Sequence, residues 1–261
     1  MPLTTKKTIY RVLNSLNKNA VHLFLLSPPL CGSTLVQQLI STSPKATTFE
    51  QEGQWLPEVQ DILGCPERWD PQLKVDWNKV RKTFNSYWSP WKPVRFEKSP
   101  PHLMRAQQLQ EEFNNSHFLI TIRNPYAQIE GMLRRQWMPS AKSAAEFWVM
   151  TARTQISNIK SLQNNFFFSY EYLVSEPNRC IENLISFVPQ LQSLSPDILF
   201  TAHNVTGQPI KGIKNLNEIK ISNLSQMDIH DINSVLSRNL DVLQYFSYTM
   251  HFGQGRIFHG G

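Results

Sequence analysis

Short apolar runs alternate along this chain with longer stretches in which apolar positions recur at helical spacing. VHLFLLS (21–27), VRFEK (94–98), HFLITIR (117–123) and FFFSY (166–170) show too little in-and-out alternation for a one-sided sheet, and they read as strands buried on both faces. Between them, Ser33–Ser41, Pro101–Phe113, Pro125–Gln136, Ala141–Leu162 and Glu171–Phe187 carry helix-compatible patterns. Asn124 followed by Pro125 is a start signal, because Asn caps open amides and Pro suits the first helical position. The alternation predicts an α/β fold with a central, mainly parallel sheet flanked by helices. Loops leaving the C-terminal ends of such strands share one edge, and ligands of these sheets bind there. No internal repeat is visible.

Composition narrows this picture. With 261 residues, 41% hydrophobic and 18% charged, the chain is long enough for one full core and reads as a single domain over residues 1–261. Residues 1–19 read as an N-terminal extension and 249–261 as a mobile, Gly-containing tail. The longest apolar stretches fall far short of the roughly 20 residues of a membrane-spanning helix. The N-terminus lacks the apolar centre of an export signal, so a cytoplasmic protein with no membrane span is expected. Cys31, Cys65 and Cys180 form no CxxC pair and are odd in number, which suggests neither a disulfide framework nor a metal site. A net charge of +6 and a pI near 9.2 favour anionic ligands. Nucleic acid is not an expected partner, because the Lys and Arg residues are scattered and no basic run interleaves with aromatics.

Candidate chemistry begins in LFLLSPPLCGSTLVQQLIS, where a buried strand passes through Pro28, Pro29 and Gly32 into a helix near Ser33. A helix N-terminus offers amides and a positive dipole end to a phosphate. Gly32 lets the backbone approach, and the Ser33 and Thr34 hydroxyls can donate further hydrogen bonds. An ordinary strand-to-helix connection can look the same. The nucleotide-kinase pattern GxxxxGK[ST] is absent, since no Lys precedes Ser33 or Thr34, and a small-molecule kinase is the least favoured reading.

The turn nevertheless resembles the phosphosulfate-binding turn of sulfotransferases that use 3′-phosphoadenosine-5′-phosphosulfate (PAPS). The matching positions are Pro28, Pro29, Gly32, Ser33, Thr34 and Leu35. EKSPPHLMR (97–105) is similar to that family's second strand and following helix, and FLITIRNPYAQIEGMLRR (118–135) to its 3′-phosphate segment. FSYEYLVSEPNRCIENLISFVPQL (168–191) resembles its YExLxxxP segment, and HNVTGQPIKG (203–212) its late HxxxGNPxR element. The matches keep the family's order over about residues 21–245, most specifically in the bacterial-type and tyrosylprotein-sulfotransferase-like branch.

The resemblance implies a P-loop-like sulfotransferase fold, PAPS as cosubstrate without a metal, and release of adenosine 3′,5′-bisphosphate. It implies cofactor contacts from Pro29, Leu30, Cys31, Gly32, Ser33, Thr34 and Leu35, and from Arg123, Gly131, Tyr170, Lys211 and Gly212. Arg123 would grip the 3′-phosphate in fork geometry, with Lys211 as a second cation. Lys98 would stabilise charge developing on the leaving oxygen. For the base, Glu52 in EQEGQWLP aligns with the Glu of one branch, Glu50 stands nearby, and His102 is the candidate closest to the His of the cytosolic branch. His102 can equally be a helix-start residue. Two departures stand out: Leu30 replaces the usual cation of the turn, and Gly131 stands where a Ser usually helps hold the 3′-phosphate. Leu30 supports an alternative in which the chain binds the nucleotide without turnover, and Gly131 implies a reduced cofactor affinity. Small-molecule, carbohydrate, lipid and peptide acceptors all remain open. Trp55, Trp69, Trp77, Trp88 and Trp91 fall where the family builds its acceptor pocket, although each reads first as core packing.

Overall fold

In a computed structural model of the protein, the described residues are 3–197, 199–200 and 210–252. Their helices are α1 (Leu3–Leu16), α2 (Ser33–Ser41), α3 (Gln60–Leu63), α4 (Trp77–Tyr87), α5 (Ala106–Glu112), α6 (Pro125–Arg134), α7 (Ala141–Ser161), α8 (Tyr170–Ser175), α9 (Pro177–Phe187), α10 (Asn217–Ser222), α11 (Gln226–Leu236) and α12 (Leu240–Tyr245). Their strands are β1 (Val21–Leu26), β2 (Ala46–Thr47), β3 (Val94–Glu97), β4 (Ser116–Ile122), β5 (Asn165–Ser169), β6 (Leu199–Phe200) and β7 (Ile210–Lys211).

The described residues fall into two compact units: those within 1–122 and 154–214, and those within 123–153 and 215–252. The first holds a five-stranded sheet in the order β2-β3-β1-β4-β5, with every pairing parallel. The predicted parallel α/β architecture is therefore present. β6 and β7 form a separate short antiparallel pair.

Successive residues of a strand point to opposite faces, and both faces of this sheet are covered. Phe24 and Leu26 of β1 join Phe118 and Ile120 of β4 in one core, against Val80, Phe84 and Trp88. Val21, Leu23 and Leu25 join Leu119 and Phe168 in the other, against Val36, Leu39, Ile40 and Leu184. Strand β5 departs from the expectation of two-sided burial: it is an edge strand, and four of its five residues are only half-buried.

Helix starts follow local chemistry. At α6, Asn124 Oδ1 accepts from the Tyr126 and Ala127 amides, with Pro125 in the first position. The stretch expected as one helix over 171–187 is two, α8 and α9, because Pro177 has no amide to continue the ladder and begins a new helix. The stretch expected over 101–113 starts as a 3₁₀ segment, Pro100–Arg105, before α5. Residues 253–261 of the expected tail lie outside the described residues.

Most of the expected N-terminal extension is a helix with a structural role. α1 packs on α4, and buried Asn14 donates from Nδ2 to Asn85 O at 2.7 Å and Trp88 O at 2.8 Å. Arg95 of β3 returns a bond from Nη1 to Asn14 O at 3.3 Å. Asn14→Ala strips two buried carbonyls of their donor and is expected to cost about 1–3 kcal/mol, read as a lower urea midpoint at unchanged m-value. An unshifted midpoint would show that α1 contributes nothing there.

Candidate active site

β1 ends in a tight turn. Cys31 N–H donates to Pro28 O at 3.3 Å, and Leu30 and Gly32 have φ of 64° and 91°. Left-handed residues alternating with right-handed ones make a concave arrangement of amides suited to anions. Gly32 is needed twice. Its φ lies in the region that favours glycine, and a Cβ there would sit 2.8 Å from the Tyr170 ring. Tyr170 is itself fixed by a bond from its hydroxyl to Lys214 O at 3.1 Å. Leu30, by contrast, adopts left-handed backbone with a branched side chain, a conformation that costs roughly 1–2 kcal/mol.

Lys98, the residue after β3, places its ammonium over the start of α2. Its Nζ lies 3.5 Å from Ser33 Oγ, 3.3 Å from Thr34 Oγ1 and 3.0 Å from Glu52 Oε1. These three acceptors match the three donors of an ammonium. Lys98 is only 7% exposed, whereas the Glu52 side chain keeps 23% of its surface open. Glu52 also accepts from Gln54 Nε2 at 2.5 Å.

A buried carboxylate that sequence reasoning missed holds this pair in place. Glu97, 1% exposed, accepts at Oε1 from Gly53 N–H (3.0 Å) and from Ser99 Oγ (2.6 Å). Ser99 Oγ in turn receives Gln54 N–H at 3.0 Å. The loop 52–54 is thereby tied to the strand end that carries Lys98. The sequence signal was present: a carboxylate closing a short strand expected to be buried on both faces needs a buried partner.

The same carboxylate explains His102. It is 2% exposed, its Nε2 lies 3.0 Å from Glu97 Oε2, and the rings of Phe24, Trp77 and Phe84 surround it. The structure joins Ser33, Thr34, Glu52 and Lys98 and sets His102 behind them in the core. Glu50 is exposed. Lys211 is exposed on β7, and Gly212 follows with φ of 72°. The remainder of HNVTGQPIKG, residues 203–209, lies outside the described residues. Of the five tryptophans, Trp77 and Trp88 are core and Trp69 packs partly against it, while Trp55 and Trp91 are exposed.

In the second unit, buried Arg123 donates from Nε to Asn217 Oδ1 at 2.8 Å, and its carbonyl receives Trp148 Nε1 at 3.1 Å. Gly131 is buried on α6. Among the described residues, no three His, Cys, Asp or Glu side chains group as metal ligands, and no helix is long and apolar enough to cross a membrane.

A family model described as the sulfotransferase family matches residues 22–189. No curated protein matches the chain. Solved structures similar to it include a sulfotransferase from Mycobacterium avium, at TM-score 0.57 and 10% identity, with 97% of this chain and 83% of that one covered. The sulfotransferase domain of a Synechococcus olefin synthase gives 0.55 at 17% identity, over 89% and 96%. A sulfotransferase from Alicyclobacillus acidocaldarius gives 0.52 at 10% identity, over 87% and 95%. At these identities the likeness concerns the fold.

Gly53 offers a test of the tie between loop and strand. A Cβ there would meet Glu97 Oε1 at 2.7 Å and the Phe84 ring at 2.8 Å. Gly53→Ala is expected to destabilise the chain by about 1–3 kcal/mol in urea melts, as overpacking does. Wild-type stability in that variant would mean the loop is not held by Glu97.

Proposed function

The chain belongs to the sulfotransferase family, and on that premise we propose that it moves the sulfuryl group of PAPS to a hydroxyl or amine of an acceptor, releasing adenosine 3′,5′-bisphosphate. The observation that carries this reading is Lys98 Nζ standing between the Ser33 and Thr34 hydroxyls and the Glu52 carboxylate. That arrangement puts a cation and two hydroxyls at the start of a helix, where an anionic group is favoured.

The donor supplies an activated sulfur–oxygen bond. Glu52 takes the acceptor's proton as the acceptor atom bonds to sulfur. Lys98 and the α2 amides neutralise the charge left on the departing phosphate oxygen. Glu52 is preferred to His102 as base because it keeps an open face, whereas His102 is enclosed against Glu97. Glu50 remains the adjacent carboxylate. Arg123 is assigned to the 3′-phosphate, with Tyr170 over Gly32 shaping the turn. The acceptor belongs to one of four classes: small molecule, carbohydrate, lipid or peptide. A cytoplasmic setting and a metal-free reaction complete the proposal.

Leu30 sets the expected rate. A missing charge-assisted contact weakens the grip by about 1.5–3 kcal/mol. Leu30→Arg adds the cation without adding backbone strain, since both residues carry a Cβ at the same positive φ.

Labelled PAPS incubated with an acceptor panel should yield transferred label. Glu52→Gln and Lys98→Met should each lower kcat by about 100- to 1000-fold. Leu30→Arg should raise turnover. Calorimetric binding of adenosine 3′,5′-bisphosphate with no transfer to any acceptor would overturn catalysis in favour of a nucleotide-binding protein. A melting temperature raised by ATP with magnesium and unmoved by PAPS would favour a kinase.

A further inference from the structure

Around Arg123, the described residues of the second unit bring several cations close to one buried carboxylate. Arg123 bonds to Asn217 at the start of α10, and Lys220 follows one turn later on the same helix. Lys220 is 4% exposed. Its Nζ lies 3.4 Å from Ala127 O and 3.7 Å from Glu130 Oε2, both on α6, against which α10 packs. Glu130 is shared, because its Oε1 accepts from Arg134 Nε at 2.8 Å and from Asn223 Nδ2 at 3.3 Å. The charges bearing on Lys220 are thus Arg123 before α6, Arg134 and Arg135 at its end, and Glu130 within it. Glu218, on α10 itself, is exposed.

If Lys220 were charged, four cations would face one buried carboxylate. Burial first, and then the nearby Arg123 guanidinium, push the Lys220 ammonium down to about 7, while Glu130 acts in the opposite sense. A lysine so placed is a poor structural cation, since burial penalises its charged form. What would balance the cluster is an anion of charge near −2, which a phosphate monoester is.

We propose that Lys220, buried one turn from the Asn217 that Arg123 bonds, belongs to the phosphate-holding group of Arg123 and takes up a proton from solvent when a phosphate dianion binds. This rests on the assignment of Arg123 to the 3′-phosphate. The sign follows from linkage: binding that requires a proton weakens as protons become scarce. Affinity for adenosine 3′,5′-bisphosphate therefore falls by up to about tenfold per pH unit above about 7.

The test is calorimetric titration of the full chain with adenosine 3′,5′-bisphosphate at about pH 8, where phosphate esters are already dianions, in Tris and in Hepes. Their different ionisation heats report the protons exchanged. The expected result is uptake of close to one proton per site, and none with adenosine 5′-monophosphate, which lacks the 3′-phosphate. Lys220→Met should abolish the uptake and flatten the pH profile. Lys220→Arg, permanently charged, should bind without uptake, and thermal melts check that both variants fold. Binding by the wild type without proton uptake, or uptake that survives in Lys220→Met, overturns the inference and leaves the sulfotransferase reading standing. No binding of the bisphosphate at all overturns both.

Discussion

The carboxylate of Glu97 is the constraint from which the arrangement around Lys98 follows. A carboxylate removed from water needs polar groups against it: Glu97 Oε1 accepts two hydrogen bonds, and His102 Nε2 lies 3.0 Å from Oε2. Oε1 collects Gly53 N–H and the Ser99 hydroxyl, and Oε2 faces His102 Nε2. Each partner belongs to a different segment: the loop after β2, the exit of β3, and the 3₁₀ turn beyond it. Satisfying one buried charge therefore fixes three pieces of backbone, and the distance from Lys98 to Glu52 is a by-product. Gly53 completes the constraint, because a larger residue would collide with the oxygen that holds the loop.

What was readable in the sequence was what local chemistry decides. β1 and β4 are largely apolar runs and β3 alternates apolar with charged residues, and the structure keeps all three within about a residue of their expected limits. α6 begins where Asn124 and Pro125 say it must. What depends on distant partners was not readable. α1 is an amphipathic helix whose meaning lies in α4, some 60 residues on, and Asn14 shows nothing of its bonds to Asn85 and Trp88 in sequence. β5 looks like β4 in composition but lies at the sheet's edge. His102 is chemically apt as a base, and only the position of Glu97 turns it into core. Lys220 was passed over because a single Lys within EIKIS carries no motif; burial and its neighbours make it unusual.

Leu30 shows how a departure from a motif can be read twice. As chemistry, under the proposed reaction it leaves out the cation that the family resemblance expects in this turn. As conformation, it occupies a left-handed position where the backbone would favour Gly or Asn. The chain carries a branched side chain there at a steric cost. That separates Leu30 from Gly32, whose identity the turn and Tyr170 both dictate.

The two groups of cations solve opposite electrostatic problems. Lys98 has a full set of acceptors within its own unit, and its charge is countered by Glu52. For Lys98 to engage an incoming anion it must give up one of these acceptors. The hydroxyls of Ser33 and Thr34 can turn their own protons toward the same anion, whereas the carboxylate repels it, so Glu52 is the partner released. Under the proposed reaction that release supplies an oxygen able to accept a proton at the step where one must be taken. Lys220 has the reverse difficulty, since it is buried, it shares its one carboxylate neighbour, Glu130, with Arg134, and the other charges bearing on it are cations. One lysine is thus held ready by a carboxylate that must leave, and the charge of the other is disfavoured first by burial and then by the Arg123 guanidinium, which an anion would offset.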